Sequence, residues 1–427
     1  MGEVGVNEAA AFAISPKMAR ALADRWRSRI LMELSVRPLS PSQFVEIVEK
    51  AGDERVPELS HIGRCFRQLA DWGFAEILET QEGGHRRGAV EHVYHRTQRA
   101  LFTTEVWERL PRFYREESTG STVESYIARI SEAIEAGTFD DELDRHLFWD
   151  GYALDRIAWT QLMARLDETL FWLPDLEHEA LKRMAATGEA SIPTTVGLAG
   201  FRSPTEVTGQ LQRVREVQSP RPPATPFVIS AKTAKALANE TRSRILMELR
   251  VRPLSPAQFV REFGGGKSWI NRCFRQLAEW DYIEVMEVKT GAQRRGAKEK
   301  FYRLKQRAFF DTPTWEQLPR FLRDECSAAL LHSYFARVEE AIEAGTFDAE
   351  VDRHFAWDGI ALDRTAWTEV MLRLHELRAW MPELEQEATS RIEKSREEPI
   401  PTTVGLAGFR SPKSSEITTP IRRDERR

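Results

Sequence analysis

Apolar residues recur every third or fourth position along most of the chain, and the runs break at Pro, Gly and Ser. In "KSWINRCFRQLAEW", residues 267–280, Ile270, Cys273, Phe274 and Leu277 stand at i, i+3, i+4 and i+7, one face of a helix. Lys267, Ser268, Trp269, Asn271, Arg272 and Arg275 take the other faces and cluster in the first half of that helix. Further upstream, Met18, Leu22, Trp26, Ile30 and Leu34 recur at spacing four behind Ser15-Pro16. Ser as N-cap and Pro at the first helical position predict a helix starting there. "SPSQF" at Ser40 and "SPAQF" at Ser255 place Gln three residues after Ser, the capping-box arrangement, and predict a second helix. "GGG" at 264–266 then makes a tight turn into the third. The pattern next becomes strand-like in "YIEVMEVKTGAQRRGAKEKFYRL", two β-rich arms around a Gly- and Arg-rich loop, which predicts a hairpin.

Past the hairpin the pattern returns to long helices. "LPRFLRDECSAALLHSYFARVEEAIEAG" reads as one helix from Pro319 to a glycine cap at Gly345, with Leu330, Tyr334, Val338 and Ile342 in a stripe at spacing four. "DRHFAWDGIAL" predicts a strand, "DRTAWTEVMLRLHELRAWMPELEQEATSRI" a second long helix, and "PTTVGLAGFRSP" a last strand.

This order of elements occurs twice. Residues from Cys65 to Pro204 align without a gap with Cys273 to Pro412, 208 positions on. The start at Ile14 aligns with Ile229, 215 positions on, so the first copy holds seven extra residues between Val45 and Ile62. The fold class expected is mainly α with small β. The expected divisions are a tail (1–14), a three-helix-and-hairpin module (15–100), a helical α/β segment (101–204), a Pro-rich linker (205–228), the second module (229–308), its helical α/β segment (309–412) and a tail (413–427).

Bulk properties narrow the class. The 427 residues are 41% apolar and 30% charged, the mix of a globular protein with room for several cores. No apolar run approaches the roughly 20 residues of a membrane span, and "MGEVGVNEAAAFAIS" lacks the basic start of a secretory signal. Three cysteines, Cys65, Cys273 and Cys326, are an odd and sparse set for a disulfide framework. The expectation is a cytoplasmic protein with no membrane partner. Net charge is −5, but it is divided: 230–308 carries 18 basic and 8 acidic residues, a balance of +10. Residues 15–100 come to +2, and each trailing segment comes to −9. That division suggests anion-facing modules followed by acidic ones.

Three helices with a short second turn, then a hairpin, is the winged helix-turn-helix arrangement. "ALANETRSRILMEL…LSPAQFVREFGGGKSWINRCFRQLAEWDYIEV…RRGAKEKFYRL" resembles ArsR-type winged helix-turn-helix transcription regulators, over roughly residues 15–100 and 230–308. The resemblance implies a sequence-specific regulator that binds double-stranded DNA. A major groove accepts one α-helix whose early residues reach base edges. Asn271 suits adenine, Arg272 or Arg275 suits guanine or phosphate, and Lys267 and Ser268 suit the backbone. Trp269 stands either against a base or against the turn. The paired arginines of each hairpin tip, Arg86–Arg87 and Arg294–Arg295, suit a minor groove or a phosphate strand.

The copies are unequal as readers. The first offers Ser60, His61, Arg64 and Arg67, with Gly63 where the second has Asn271, and it adds Asp53, Glu54 and Glu58 nearby. Acidic groups beside a reading helix repel phosphate, so the second copy is expected to bind more tightly. The two copies would form an intramolecular pseudo-dimer, with the long helices 111–136 and 319–344 suited to the interface and a further homodimer of chains possible.

Other chemistry is set aside. Cys65 and Cys273 stand alone in a core stripe. Asp144/His146 and Asp352/His354 are too few ligands for a metal site. No P-loop, G-x-S-x-G or H-E-x-x-H occurs, so no catalytic residue, cofactor or enzyme activity is expected. The paired tryptophans of the trailing segments read as packing, the alternative being a pocket for a small-molecule effector. The alternative function is a protein-interaction scaffold built on degenerate winged helices.

Overall fold

The computed structural model describes residues 17, 20–21, 23–50, 58–82, 90–97, 107, 110–204, 231–251, 253–290, 298–306, 315 and 317–412. The first copy holds α1 (Arg25–Val36), α2 (Pro41–Lys50), α3 (Leu59–Asp71), β1 (Ala75–Glu82), β2 (Val90–Arg96), α4 (Arg112–Glu135), β3 (His146–Leu154), α5 (Arg156–Thr187) and β4 (Ile192–Arg202). The second holds α6 (Ala231–Leu237), α7 (Glu240–Val251), α8 (Pro256–Phe263), α9 (Lys267–Glu279), β5 (Ile283–Thr290), β6 (Lys298–Leu304), α10 (Arg320–Glu343), β7 (His354–Leu362), α11 (Arg364–Ser395) and β8 (Ile400–Arg410). The fold is mainly helical with small antiparallel sheets. No helix among the described residues is long and apolar enough to cross a membrane.

Local chemistry sets the helix ends. Ser255 Oγ accepts from Gln258 N at 3.1 Å while Gln258 Oε1 accepts from Ser255 N at 3.0 Å. Ser40 and Gln43 do the same at 3.2 and 2.9 Å. Gly264 and Gly265 turn the chain into α9 with φ of 75° and 93°, a region that favours glycine. The first expected helix, however, is broken in two. Asp24 Oδ1 accepts from Arg27 N at 2.9 Å and Asn239 Oδ1 from Arg242 N at 3.1 Å, so each begins a new helix. An Asx side chain competes with the helix ladder for free N–H groups, and apolar spacing alone does not register it. The expected stripe on α10 also drifts. Tyr334 and Val338 are buried, but Ile342 is 43% exposed. A strict spacing of four advances about 40° per step on a 3.6-residue helix and walks off the face.

The two copies meet in one four-stranded sheet of order β3-β8-β4-β7, antiparallel throughout. Strands of the two copies alternate, and neither copy's own two strands pair with each other. β4 and β8 pair from Thr194↔Arg410 to Arg202↔Thr402, with Leu198 opposite Leu406. Those two residues are equivalent in the repeat, so an internal twofold runs between them. α5 and α11 cover one face around the fully buried Trp159 and Trp367. α4 and α10 pack toward the other face with Tyr126, Tyr334 and the ring pairs Phe139–Phe409 and Phe201–Phe347. Copy-to-copy contact is thus made chiefly by strands, where the sequence pointed to helices.

Cross-copy polar contacts repeat about the twofold. Arg391 pairs with Asp155 and Arg183 with Asp363, each at 2.5 Å. Both aspartates also cap helices, accepting from Ala158 N and Ala366 N. The hydrogen bond from Arg391 holds the Asp155 carboxyl below its usual range, and Arg183 does so for Asp363. Trp149 Nε1 donates to Leu330 O at 3.0 Å and Trp357 Nε1 to Thr122 O at 3.1 Å. Arg145 lies 4.6 Å over Trp315, and Arg353 lies 4.6 Å over Trp107. These tryptophans serve packing. The gap left beside Tyr126 and Tyr334 is about the size of one water.

The helix-and-hairpin modules attach crosswise. α1 lies against β7 of the other copy and α7 against β3, which covers both outer strands. A buried ion network ties α1 to α4. Arg129 binds Glu33 at 3.0 Å and Glu132 at 3.2 Å, Arg37 binds Glu33 at 2.9 Å, and Arg29 reaches Glu132. Burial alone would raise the Glu33 carboxyl, but the combined field of Arg129, Arg37 and Arg29 holds it lowered. Arg244, Glu248, Arg337 and Glu340 repeat the network between α7 and α10.

One symmetric position carries unlike charge. His354 Nδ1 sits 2.8 Å from Asp167 Oδ1. The equivalent of Asp167 in the second copy is His375, and its neighbour His146 is pushed well below the usual histidine range by burial, then by Arg378, His375 and Arg145. His146 therefore stays neutral in the fold but takes up a proton when unfolded. Stability should fall as pH drops below about 6.5, by up to about 1.4 kcal/mol per pH unit. Denaturant midpoints measured from pH 7.5 to 5 should decline, and His146→Gln should flatten the decline; an unchanged slope would refute the assignment.

Two further outcomes follow from the sheet. A Cβ at Gly197 would overlap the Tyr126 hydroxyl, whereas Gly120 on α4 has nothing within 4 Å. Gly197→Ala should lower stability by about 1–3 kcal/mol, and Gly120→Ala should raise it by up to about 1 kcal/mol, in chemical denaturation. The first copy expressed alone lacks both strands that its own strands pair with. It should sediment as a homodimer or be unfolded, and a folded monomer would rule out the interleaved sheet.

Candidate nucleic-acid interface

The third helix of each module is held by its inward stripe. Ile270, Cys273, Phe274 and Leu277 of α9, and Ile62, Cys65, Phe66 and Leu69 of α3, are all buried. The thiols are free, and burial, the largest influence, pushes Cys65 up to about 11 and raises Cys273. Both are therefore neutral packing groups at neutral pH. An arginine of α1 or α7 clamps each third helix. Arg242 donates to Lys235 O and Gln276 Oε1 and lies 5.4 Å over Trp280. Arg27 makes the matching contacts to Arg20 O, Gln68 Oε1 and Trp72. The sequence reading missed these two residues; their only signal is recurrence in "RSRILMEL" of both copies.

Each hairpin is fixed from behind. Leu254 and Tyr302 exchange backbone bonds at 3.1 and 2.9 Å, as do Leu39 and Tyr94 at 2.9 and 2.8 Å. A bulge falls at the same place in both hairpins, Ile77/Glu79 and Val285/Glu287. The tips, with Arg86, Arg87, Arg294 and Arg295, lie outside the described residues, as do Asp53 and Glu54.

On the outer face of α9, Lys267, Ser268, Arg272 and Arg275 are exposed. Lys267, Arg272 and Arg275 have no ion-pair partner among the described residues, and neither do Arg64 and Arg67 on α3. Trp269 is 39% exposed, and its Nε1 donates to Thr241 Oγ1 at 3.3 Å, which ties it to the first turn of α7. Asn271 is half-buried, and its Nδ2 donates to Lys267 O at 2.7 Å. The amide that was expected to meet adenine with both its groups is thus folded onto its own helix and must turn outward to do so.

The first copy differs on this face. Glu58 stands at the N-cap of α3 without a side-chain cap bond, and Ser60 Oγ donates to its carboxylate at 3.3 Å. His61 Nε2 faces Cys65 Sγ at 3.7 Å. A Cβ on Gly63 would meet only Arg67 Nη1 at 3.6 Å, so the position is open. On the preceding helix one exposed position holds Glu46 in the first copy and Arg261 in the second, beside exposed Glu49 in the first and Glu262 in the second, a contrast the sequence reading did not use. No group of three or more potential metal ligands occurs among the described residues. Comparison of the chain with protein-family models, curated proteins and solved structures returns no match.

Proposed function

We propose that the chain is a sequence-specific transcription regulator that binds double-stranded DNA through two winged helix-turn-helix modules fused into a pseudo-dimer. The carrying observation is the outward basic set of α3 and α9. In a protein with a net charge of −5 and dense ion pairing, Arg64, Arg67, Lys267, Arg272 and Arg275 are left without acidic partners among the described residues. The helix that bears them is anchored by a buried stripe, an arginine clamp and a hairpin, so its outer face is presented on rigid support. Such a face fits a major groove in size and charge. The ArsR-type resemblance supports the same reading.

The scaffold reading draws on one observation. Ile77, Leu78 and Val90, spaced along the first hairpin, are 49%, 55% and 61% exposed, apolar side chains that also suit a protein partner.

Titration of a labelled random duplex, followed by anisotropy at about 50 and 200 mM salt, separates the two. With about four phosphate contacts, affinity should fall roughly 100-fold across that range. Arg272→Ala/Arg275→Ala should weaken binding more than Arg64→Ala/Arg67→Ala, although both remove two charges. Salt-insensitive binding, or none, would refute the proposal, and an equal loss in the two variants would refute the inequality of the copies.

A further inference from the structure

We infer that the chain reads a non-palindromic duplex in one fixed orientation. The half-site under α9 is recognised by base sequence, and the half-site under α3 is held through its phosphates. This rests on the duplex-binding reading above and concerns what kind of site that surface selects.

The frame that holds the two reading helices is symmetric. Its central strands pair about Leu198 and Leu406, and its cross-copy ion pairs recur on both sides of the axis. A symmetric frame with identical readers would prefer a palindrome. The readers are not identical, and their differences are sorted by role. Arg64 and Arg67 match Arg272 and Arg275, so the long cations able to reach phosphate are common to both. The groups able to address a base edge differ. Gly63 offers no side chain where Asn271 offers an amide, and His61 stands where Trp269 does.

Charge around the helix start differs in the same direction. Glu58 and the exposed Leu59 precede Ser60, where Gly266 and Lys267 precede Ser268. Glu46 faces solvent on α2 where Arg261 does on α8. Carboxylates at these two places weaken the approach of phosphate to the first module without removing its arginines. A base contact of the bidentate kind discriminates by about 10- to 100-fold, and at this position only α9 carries an amide, that of Asn271, which makes such a contact by turning away from Lys267 O. The hairpins differ too: Arg96 of β2 binds Asp358 of β7 at 2.9 Å, while Leu304 stands at the equivalent place on β6.

Selection of a random-core duplex library on the full chain, followed by sequencing, tests this. The expected consensus lacks twofold symmetry and carries most of its information in one half. Asn271→Ala should flatten that half while leaving the melting temperature unchanged. Gly63→Asn, which has room to fold, should add a matching preference to the other half. It should also raise affinity for a palindrome built from two strong halves by about 10-fold. A palindromic consensus from the unmodified chain would overturn the inference, and so would salt-dependent binding that yields no consensus. Failure to bind any duplex would instead overturn the duplex-binding reading itself.

Discussion

The antiparallel pairing of β4 with β8 is the constraint on which the rest depends. Each copy supplies two strands to the sheet, and neither pairs with its own partner. β3 bonds only to β8 and β7 only to β4, so every ladder in the sheet joins one copy to the other. The two aromatic layers form only once that interleaving is complete, because Tyr126 seats over Gly197 of β4 and packs on Trp357 of β7. Folding of the trailing segments is therefore one event shared by both copies. Asp155 and Asp363 show the same economy of parts, since each caps a helix of its own copy and receives an arginine from the other.

This pairing explains where the repeat has stayed the same and where it has diverged. β4 and β8 carry one identical run, "IPTTVGLAGFR". From Thr194 to Arg202, β4 faces β8 across the twofold, so a change on one strand must fit the image of its own surroundings on the other. Gly197 and Gly405 have no freedom, because a tyrosine ring lies on each. The start of the third helix feels no such pressure. Residues 58–63 and 266–271 differ at four of six positions and share only Ser60/Ser268 and Ile62/Ile270.

Much of one copy was legible in the sequence. The stripe Ile270, Cys273, Phe274, Leu277, the capping boxes at Ser40 and Ser255 and the glycine turn before α9 are local features, and the structure realises them as read. Three things were not legible. The breaks at Asp24 and Asn239 depend on a single cap bond that outweighs the apolar period. The clamps of Arg27 and Arg242 join residues 41 and 34 positions apart, to Gln68 and Gln276, a separation that carries no periodic signal. The sheet order β3-β8-β4-β7 involves partners roughly 200 residues away, and strand alternation alone cannot say which copy a strand will join. The outward residues of α3 and α9 were found by elimination, since whatever a buried stripe does not use must face out. Their internal contacts, such as Asn271 to Lys267 O, needed coordinates.

The crosswise attachment of the modules links the sheet to the outer faces of α3 and α9. α1 rests on β7 and α7 on β3, so each module sits on a strand of the other copy. Met32 of α1 and Met247 of α7 join the same apolar layer as Tyr126 and Tyr334, and the buried Arg–Glu networks bind α1 to α4 and α7 to α10. Breaking one member of such a network leaves a buried charge without its counterion and costs about 3–5 kcal/mol, so neither module is free to swing. The position of α3 follows from α1 through Arg27, and that of α9 from α7 through Arg242. The separation of α3 and α9 is therefore set by the shared sheet rather than by the linker between the copies. Divergence at residues 58–63 can then alter the outer face of α3 without altering where that helix stands.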